Sequence, residues 1–114
     1  MTKQKLIDYC LACPAVYLDY PFGDSEWGIV RHNGNKKGFA HIFRLGGKEC
    51  VNLKCDPTDA LFLREMYAGI VSAYHMSKTH WNTVRLDGDV PNEDVFSMVD
   101  KSYSLTKPKI RKAR

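Results

Sequence analysis

The dipeptide Gly46-Gly47 restricts the folds open to this chain more than any other pair of residues. A two-residue hairpin loop of the primed type needs positive φ, which glycine alone adopts at no steric cost. The segments on either side have the matching character. Phe39 to Leu45 alternates, with Phe39, His41, Phe43 and Leu45 on one face and Ala40, Ile42 and Arg44 on the other. Lys48 to Lys54 follows as its partner strand. Upstream, Trp27 to His32 reads as a strand that enters the turn region Asn33 to Gly38, whose two glycines suit positive φ. Three strands in succession joined by short turns form an antiparallel meander.

Helical signals flank this meander. Leu6, Cys10 and Cys13 recur at helical spacing, so a first helix is predicted over 3–13, ended by Pro14. The segment Ala15 to Glu26, with its Tyr20-Pro21 and Gly23 turn signals, reads as irregular. Asp56-Pro57 supplies an N-cap and a proline for the first helical position. That second helix runs to about Tyr67, with Gly69 as the residue after its end. Ile70 to Ala73 suits a short strand, and His80 to Leu86 a last strand that closes on the turn Asp87-Gly88. A third helix starts at Pro91 and carries Val95, Met98, Val99 and Tyr103 on one side. The order α-β(3)-α-β(2)-α gives an α+β fold of two layers, helices packed on an antiparallel sheet.

Length and charge narrow the rest. At 114 residues the chain is one domain with enough apolar residues, 44%, to bury a core without staples. No apolar run reaches the roughly 18–20 residues of a membrane span. The N-terminus has no apolar stretch of the kind a secretory signal carries, so a cytoplasmic protein with no membrane association is expected. The net charge of +4 is unevenly placed. The segment 107–114 holds five basic residues, and the other residues comprise 12 basic against 13 acidic. The expected organisation is a domain over 1–106 followed by a basic tail over 107–114.

The four cysteines, Cys10, Cys13, Cys50 and Cys55, read as buried thiols rather than as a metal or redox site. Cys10 and Cys13 close a helix instead of opening one, and Cys50 and Cys55 fall on opposite faces of a continuous strand. No metal and no cofactor is expected.

Polar and aromatic groups concentrate between Ala73 and Gly88, in a loop that runs into the last strand. On that strand Trp81, Thr83 and Arg85 share one face, and an aromatic beside a guanidinium can stack on a base or planar ligand. Lys78, in the loop, suits an anion. His75, His80 and Asn82 have the chemistry of a small-ligand site, yet no nucleophile with a recognisable partner accompanies them, so catalysis is not expected.

These segments carry a family resemblance over essentially the whole chain. Tyr20-Pro-Phe-Gly23, Gly46-Gly-Lys48, Leu53-Lys-Cys-Asp-Pro57, Tyr74-His-Met-x-Lys78, His80-Trp-Asn-Thr-Val84, Leu86-Asp-Gly88 and Asp100-x-Ser-Tyr103 resemble the MmcQ/YjbR family of small bacterial proteins. The resemblance implies a fold similar to the CyaY-like or secretion-chaperone-like folds. It also implies DNA binding through β-hairpin wings. On that reading Lys78, Trp81 and Arg85, with the hairpin lysines Lys36, Lys37 and Lys48 and the tail, would meet double-stranded DNA. The chain departs from the family pattern at Ala68, Ser77 and Thr79, and Thr79 thins the positive charge of the loop. The other expected partner is a protein, bound at a sheet edge or dimer surface.

Overall fold

The computed structural model describes residues 1–109. Nine elements follow in the order α1 (Lys3–Leu11), β1 (Val16–Asp19), β2 (Trp27–His32), β3 (Gly38–Leu45), β4 (Lys48–Lys54), α2 (Pro57–Met66), β5 (Ile70–Ser72), β6 (Trp81–Arg85) and α3 (Asn92–Thr106). The strands form one antiparallel sheet in the order β1-β2-β3-β4-β6-β5, and the helices pack on it. The fold class is the expected α+β arrangement, with one correction. Four strands, not three, precede α2, because part of the segment read as irregular pairs with β2. This strand is only four residues long and half-buried throughout, so it lacks the alternation that marks a strand in sequence. It is held from its neighbour: Arg31 Nε donates to Asp19 Oδ2 at 2.8 Å, and Asn33 N to the Ala15 carbonyl at 2.8 Å.

Gly46 and Gly47 both have positive φ, at 57° and 77°, as a two-residue turn between right-twisted strands requires. The glycines of the β2–β3 turn do not; there the left-handed position is Lys36, at φ 61°. Gly69 likewise is not a helix-ending residue in the left-handed region. Its backbone runs close to Gly88 and Asp89, and an added Cβ would lie 2.9 Å from Asp89 Oδ1. The Asp89 carboxylate accepts from Gly69 N and Ala68 N, which holds that carboxyl below the usual range.

The main core lies between sheet and helices. Leu6, Ile7 and Cys10 of α1 and Val95, Met98 and Val99 of α3 meet Val30, Ile42, Val51 and Val84 from the sheet. Phe39 joins them, against the alternation expected for β3. The register slips by one residue between β2 and β3, where Val30 pairs with Ala40 but Arg31 with Gly38. Phe39 is the extra residue of this bulge, and its ring meets Tyr103 of α3 and His32. Ser102 of α3 closes the gap in hydrogen bonding at this point. Its hydroxyl donates to the Phe39 carbonyl at 2.6 Å and accepts from Lys54 N at 2.9 Å. One turn on, the Thr106 hydroxyl donates to the Ser102 carbonyl, so the fully buried His32 donates from Nε2 to Thr106 Oγ1 at 2.8 Å. Among the described residues no helix is long and apolar enough to cross a membrane.

Candidate functional site

The sheet has a second face, turned away from the helices. Register places two rows there: Trp27, Phe43, Cys50 and Arg85, and Ile29, His41, Asn52 and Thr83. Trp81 shares this face with Arg85, as the period of the strand predicts. The loop between β5 and β6 folds back over it. Phe43 is stacked between Trp27, at a centroid distance of 4.6 Å, and Tyr74 of the loop, at 5.7 Å, and is 1% exposed. A ring of hydrogen bonds fastens the loop below Tyr74. Asn52 Nδ2 donates to the Tyr74 carbonyl, Tyr74 N donates to Thr83 Oγ1, and that hydroxyl donates to Asn52 Oδ1. Asn52 and Thr83 are both buried, so each polar atom in the ring is matched in place of water.

The expected contact residues fare differently in this arrangement. Lys78 is exposed, and its ammonium donates to the Ala73 carbonyl at 2.7 Å, closing its own loop. Trp81 lies edge-on to His41 at 5.5 Å rather than beside Arg85. Arg85 and Lys48 both reach Asp87, at 3.2 and 3.4 Å. Burial alone would raise the Asp87 carboxyl, but these two cations hold it below its ordinary range. Asn82 is buried on the helix side of the sheet, where it accepts from Arg64 Nε at 2.6 Å and donates to the Ala60 carbonyl. His75, with φ 60°, sets its ring at a tilt against that of Tyr74, and His80 is exposed. The structure therefore does not bring His75, His80 and Asn82 together around one cavity.

The lysines are divided between opposite ends of the sheet. Lys36 and Lys37 sit at the β2–β3 turn and Lys48 at the β3–β4 turn, separated by the eight residues of β3, or roughly 25 Å. Lys36 and Lys37 lie beside the start of the tail, which the sequence groups with them by charge but not by contact. Asn35 Nδ2 donates to the Thr106 carbonyl at 2.9 Å, and Gly34 lies so close to Pro108 that a Cβ would come within 2.7 Å of its ring. The chain leaving α3 is thus laid against the β2–β3 turn, and Lys107 and Lys109 join Lys36 and Lys37 in one corner. All four are exposed, and none is in a salt bridge among the described residues. The signal was present as two separate basic stretches; the contact across 71 positions was not. The remainder of the expected basic tail, 110–114, lies outside the described residues.

His41 is the titratable group most altered by this face. Burial, with Arg31 adding to the effect, lowers its pKa to about 4. The folded protein then stays neutral at His41 where an unfolded chain, with a histidine near 6.5, binds a proton. Stability from this group is complete above about pH 6.5 and is lost as pH falls towards 4. A shift of this size corresponds to roughly 2 kcal/mol once the ring's partial exposure is allowed for. Urea melts at pH 7 and pH 4.5 should show that loss, and His41→Gln should remove most of the difference. Equal pH dependence in both proteins would dismiss His41 as its source.

The thiols are passive. Cys10, Cys50 and Cys55 are buried and Cys13 half-buried, and burial raises all four, Cys10 to about 12. Among the described residues no three His, Cys, Asp or Glu side chains converge as metal ligands would.

Comparison with known proteins agrees with the fold. The family model described as YjbR matches residues 11–105. The Escherichia coli K12 protein named Uncharacterized protein YjbR is 30% identical over 103 residues, covering 90% of this chain and 85% of its own. Uncharacterized protein YyaQ of Bacillus subtilis is 30% identical over 100 residues, covering 78% and 84%. A crystal structure of a Pseudomonas syringae protein superposes with a TM-score of 0.83 at 30% identity, covering 93% of this chain and 99% of that one. A Deinococcus radiodurans structure gives 0.81 at 30% identity, covering 91% and 77%. The match to the family model, the level of identity and the shared architecture together establish that this chain belongs to the YjbR family.

Proposed function

We propose that this chain is a DNA-binding module that grips the phosphate backbone by its basic corner and carries out no chemistry of its own. The supporting observation is the contact of Asn35 and Gly34 with Thr106 and Pro108, which gathers Lys36, Lys37, Lys107 and Lys109 at one end of the sheet. Four exposed ammonium groups without carboxylate partners among the described residues can each replace a counterion on a duplex. On the outer sheet face Arg31 is paired with Asp19, Arg85 and Lys48 share Asp87, and Lys78 donates to a loop carbonyl. Contacts of this kind hold DNA without reading its sequence.

Salt dependence tests the reading. Each phosphate neutralised contributes about −0.9 to the slope of log affinity against log salt, so four lysines set a slope of about −3.6. Fluorescence anisotropy of the full chain with labelled duplex DNA should show at least that steepness. Lys36→Ala with Lys37→Ala should flatten it by roughly 1.8. Lys48→Ala and Lys78→Ala should leave it unchanged. Absence of binding at low salt would end the proposal, and a slope that responds to Lys48 and not to Lys36 and Lys37 would move the interface to the other end of the sheet.

A further inference from the structure

The helix side of the molecule carries a feature that DNA binding leaves unused. α2 lies over β5 and β6 while α3 lies over β3 and β4, and a groove of about 310 Å³ remains between the two helices. Its apolar surface comes from Phe62, Leu63 and Met66 of α2 and Met98 of α3. Phe62 and Met66, one turn apart on α2, are 58% and 49% exposed. The groove continues along α3 to Leu105, also exposed. From Asp94 to Leu105 the helix advances roughly 16 Å, room for about three turns of a second helix.

Charge identifies what fits. The rim of the groove carries Asp56, Asp59, Asp94 and Asp100 against one ammonium, Lys101, which is already 3.9 Å from Asp59. Asp94 accepts from the Tyr67 hydroxyl and Asp100 from the Tyr9 hydroxyl, so both carboxylates are held in position. A protein with a net charge of +4 thus presents a locally acidic rim around an apolar floor. We infer that this groove binds a basic amphipathic segment of a partner protein, apolar side chains seated on Phe62 and Met66 and lysines or arginines meeting the rim. Methionine side chains at Met66 and Met98 let the floor adapt to differing anchors, and an apolar helix face laid in a groove is a recurrent mode of recognition. The inference does not depend on the DNA reading.

The probe is a fluorescein-labelled 18-residue helical peptide of leucine and lysine, compared by anisotropy with a leucine–glutamate peptide of the same pattern and a serine–lysine peptide of the same charge. The leucine–lysine peptide should bind the full chain at least tenfold more tightly than either. Phe62→Ser with Met66→Ser should weaken it at least tenfold with little change in melting temperature, since both side chains are largely exposed. Asp56→Asn with Asp59→Asn should weaken it severalfold and reduce its salt dependence. Equal binding of the serine–lysine or leucine–glutamate peptide would overturn the inference, as would affinity indifferent to the Phe62 and Met66 substitutions. Sedimentation showing a dimer that Phe62→Ser disrupts would assign the groove to a second copy of this chain and also overturn it.

Discussion

Replacing Phe43 by alanine is expected to lower the free energy of unfolding by about 3–5 kcal/mol. The residue lies outside the main core, on the sheet face without helices, where a large aromatic would ordinarily be at least half in water. It is instead 1% exposed, because Trp27 and Tyr74 stack against its two sides. Its removal leaves those rings facing a void too apolar for water to fill usefully, and the loop carrying Tyr74 loses its largest apolar contact. In a domain of this size the melting temperature should fall by more than about 12 °C. Phe22 provides the contrast. It is 72% exposed and lies 6.4 Å from Trp27 in a T-shaped arrangement, so Phe22→Ala should change stability by less than about 0.5 kcal/mol. Comparable melts for the two variants would mean that the outer face is not a packed layer.

How far this face was legible in the sequence follows from which of its contacts are local. The Gly46-Gly47 turn fixes the pairing of β3 with β4, so His41 and Phe43 fall on the expected face. Trp81 and Arg85 are also where a period of two puts them. Phe39 is not, because the bulge adds a residue to β3 and turns its side chain to the helices. Nothing in a run of alternating residues marks where a ladder slips.

The candidate contacts show the same limit more sharply. Lys78 looks like an anion ligand in sequence, since nothing there reveals that its ammonium will meet the carbonyl of Ala73. Lys48 and Arg85 look free until the β4–β6 register brings Asp87 to both. The basic corner is the reverse case. Lys36 and Lys37 were visible, and so were Lys107 and Lys109, but a side-chain amide at Asn35 determines that they are neighbours. Charge type is a property of the sequence; charge pairing is a property of the fold, and only the second decides which cations remain for a ligand.

Asn52→Ala is expected to cost about 2–4 kcal/mol, although what it removes is a polar amide and not an apolar side chain. Asn52 is fully buried and takes part in two bonds of the ring below Tyr74: its amide nitrogen donates to the Tyr74 carbonyl, and its oxygen accepts from Thr83. Alanine leaves that carbonyl without its donor and that hydroxyl, which still accepts from Tyr74 N, without an acceptor for its proton. An unmatched buried polar group costs about 1–3 kcal/mol, far more than the net gain from one hydrogen bond. Thr83→Val should be of similar cost, since it strands Tyr74 N and Asn52 Oδ1. The double variant Asn52→Leu with Thr83→Val should then be less destabilised than the two single losses predict together, because the side-chain groups that faced each other are removed as a pair. Strict additivity in urea melts would show that the three groups do not act as one network. Hydrogen exchange at Tyr74 N reports the consequence for the loop: in Thr83→Val its protection should fall towards that of an exposed amide. Protection that survives would mean that Phe43 and Trp27 hold Tyr74 down without the ring, and the loop would then be an aromatic latch with its polar contacts incidental.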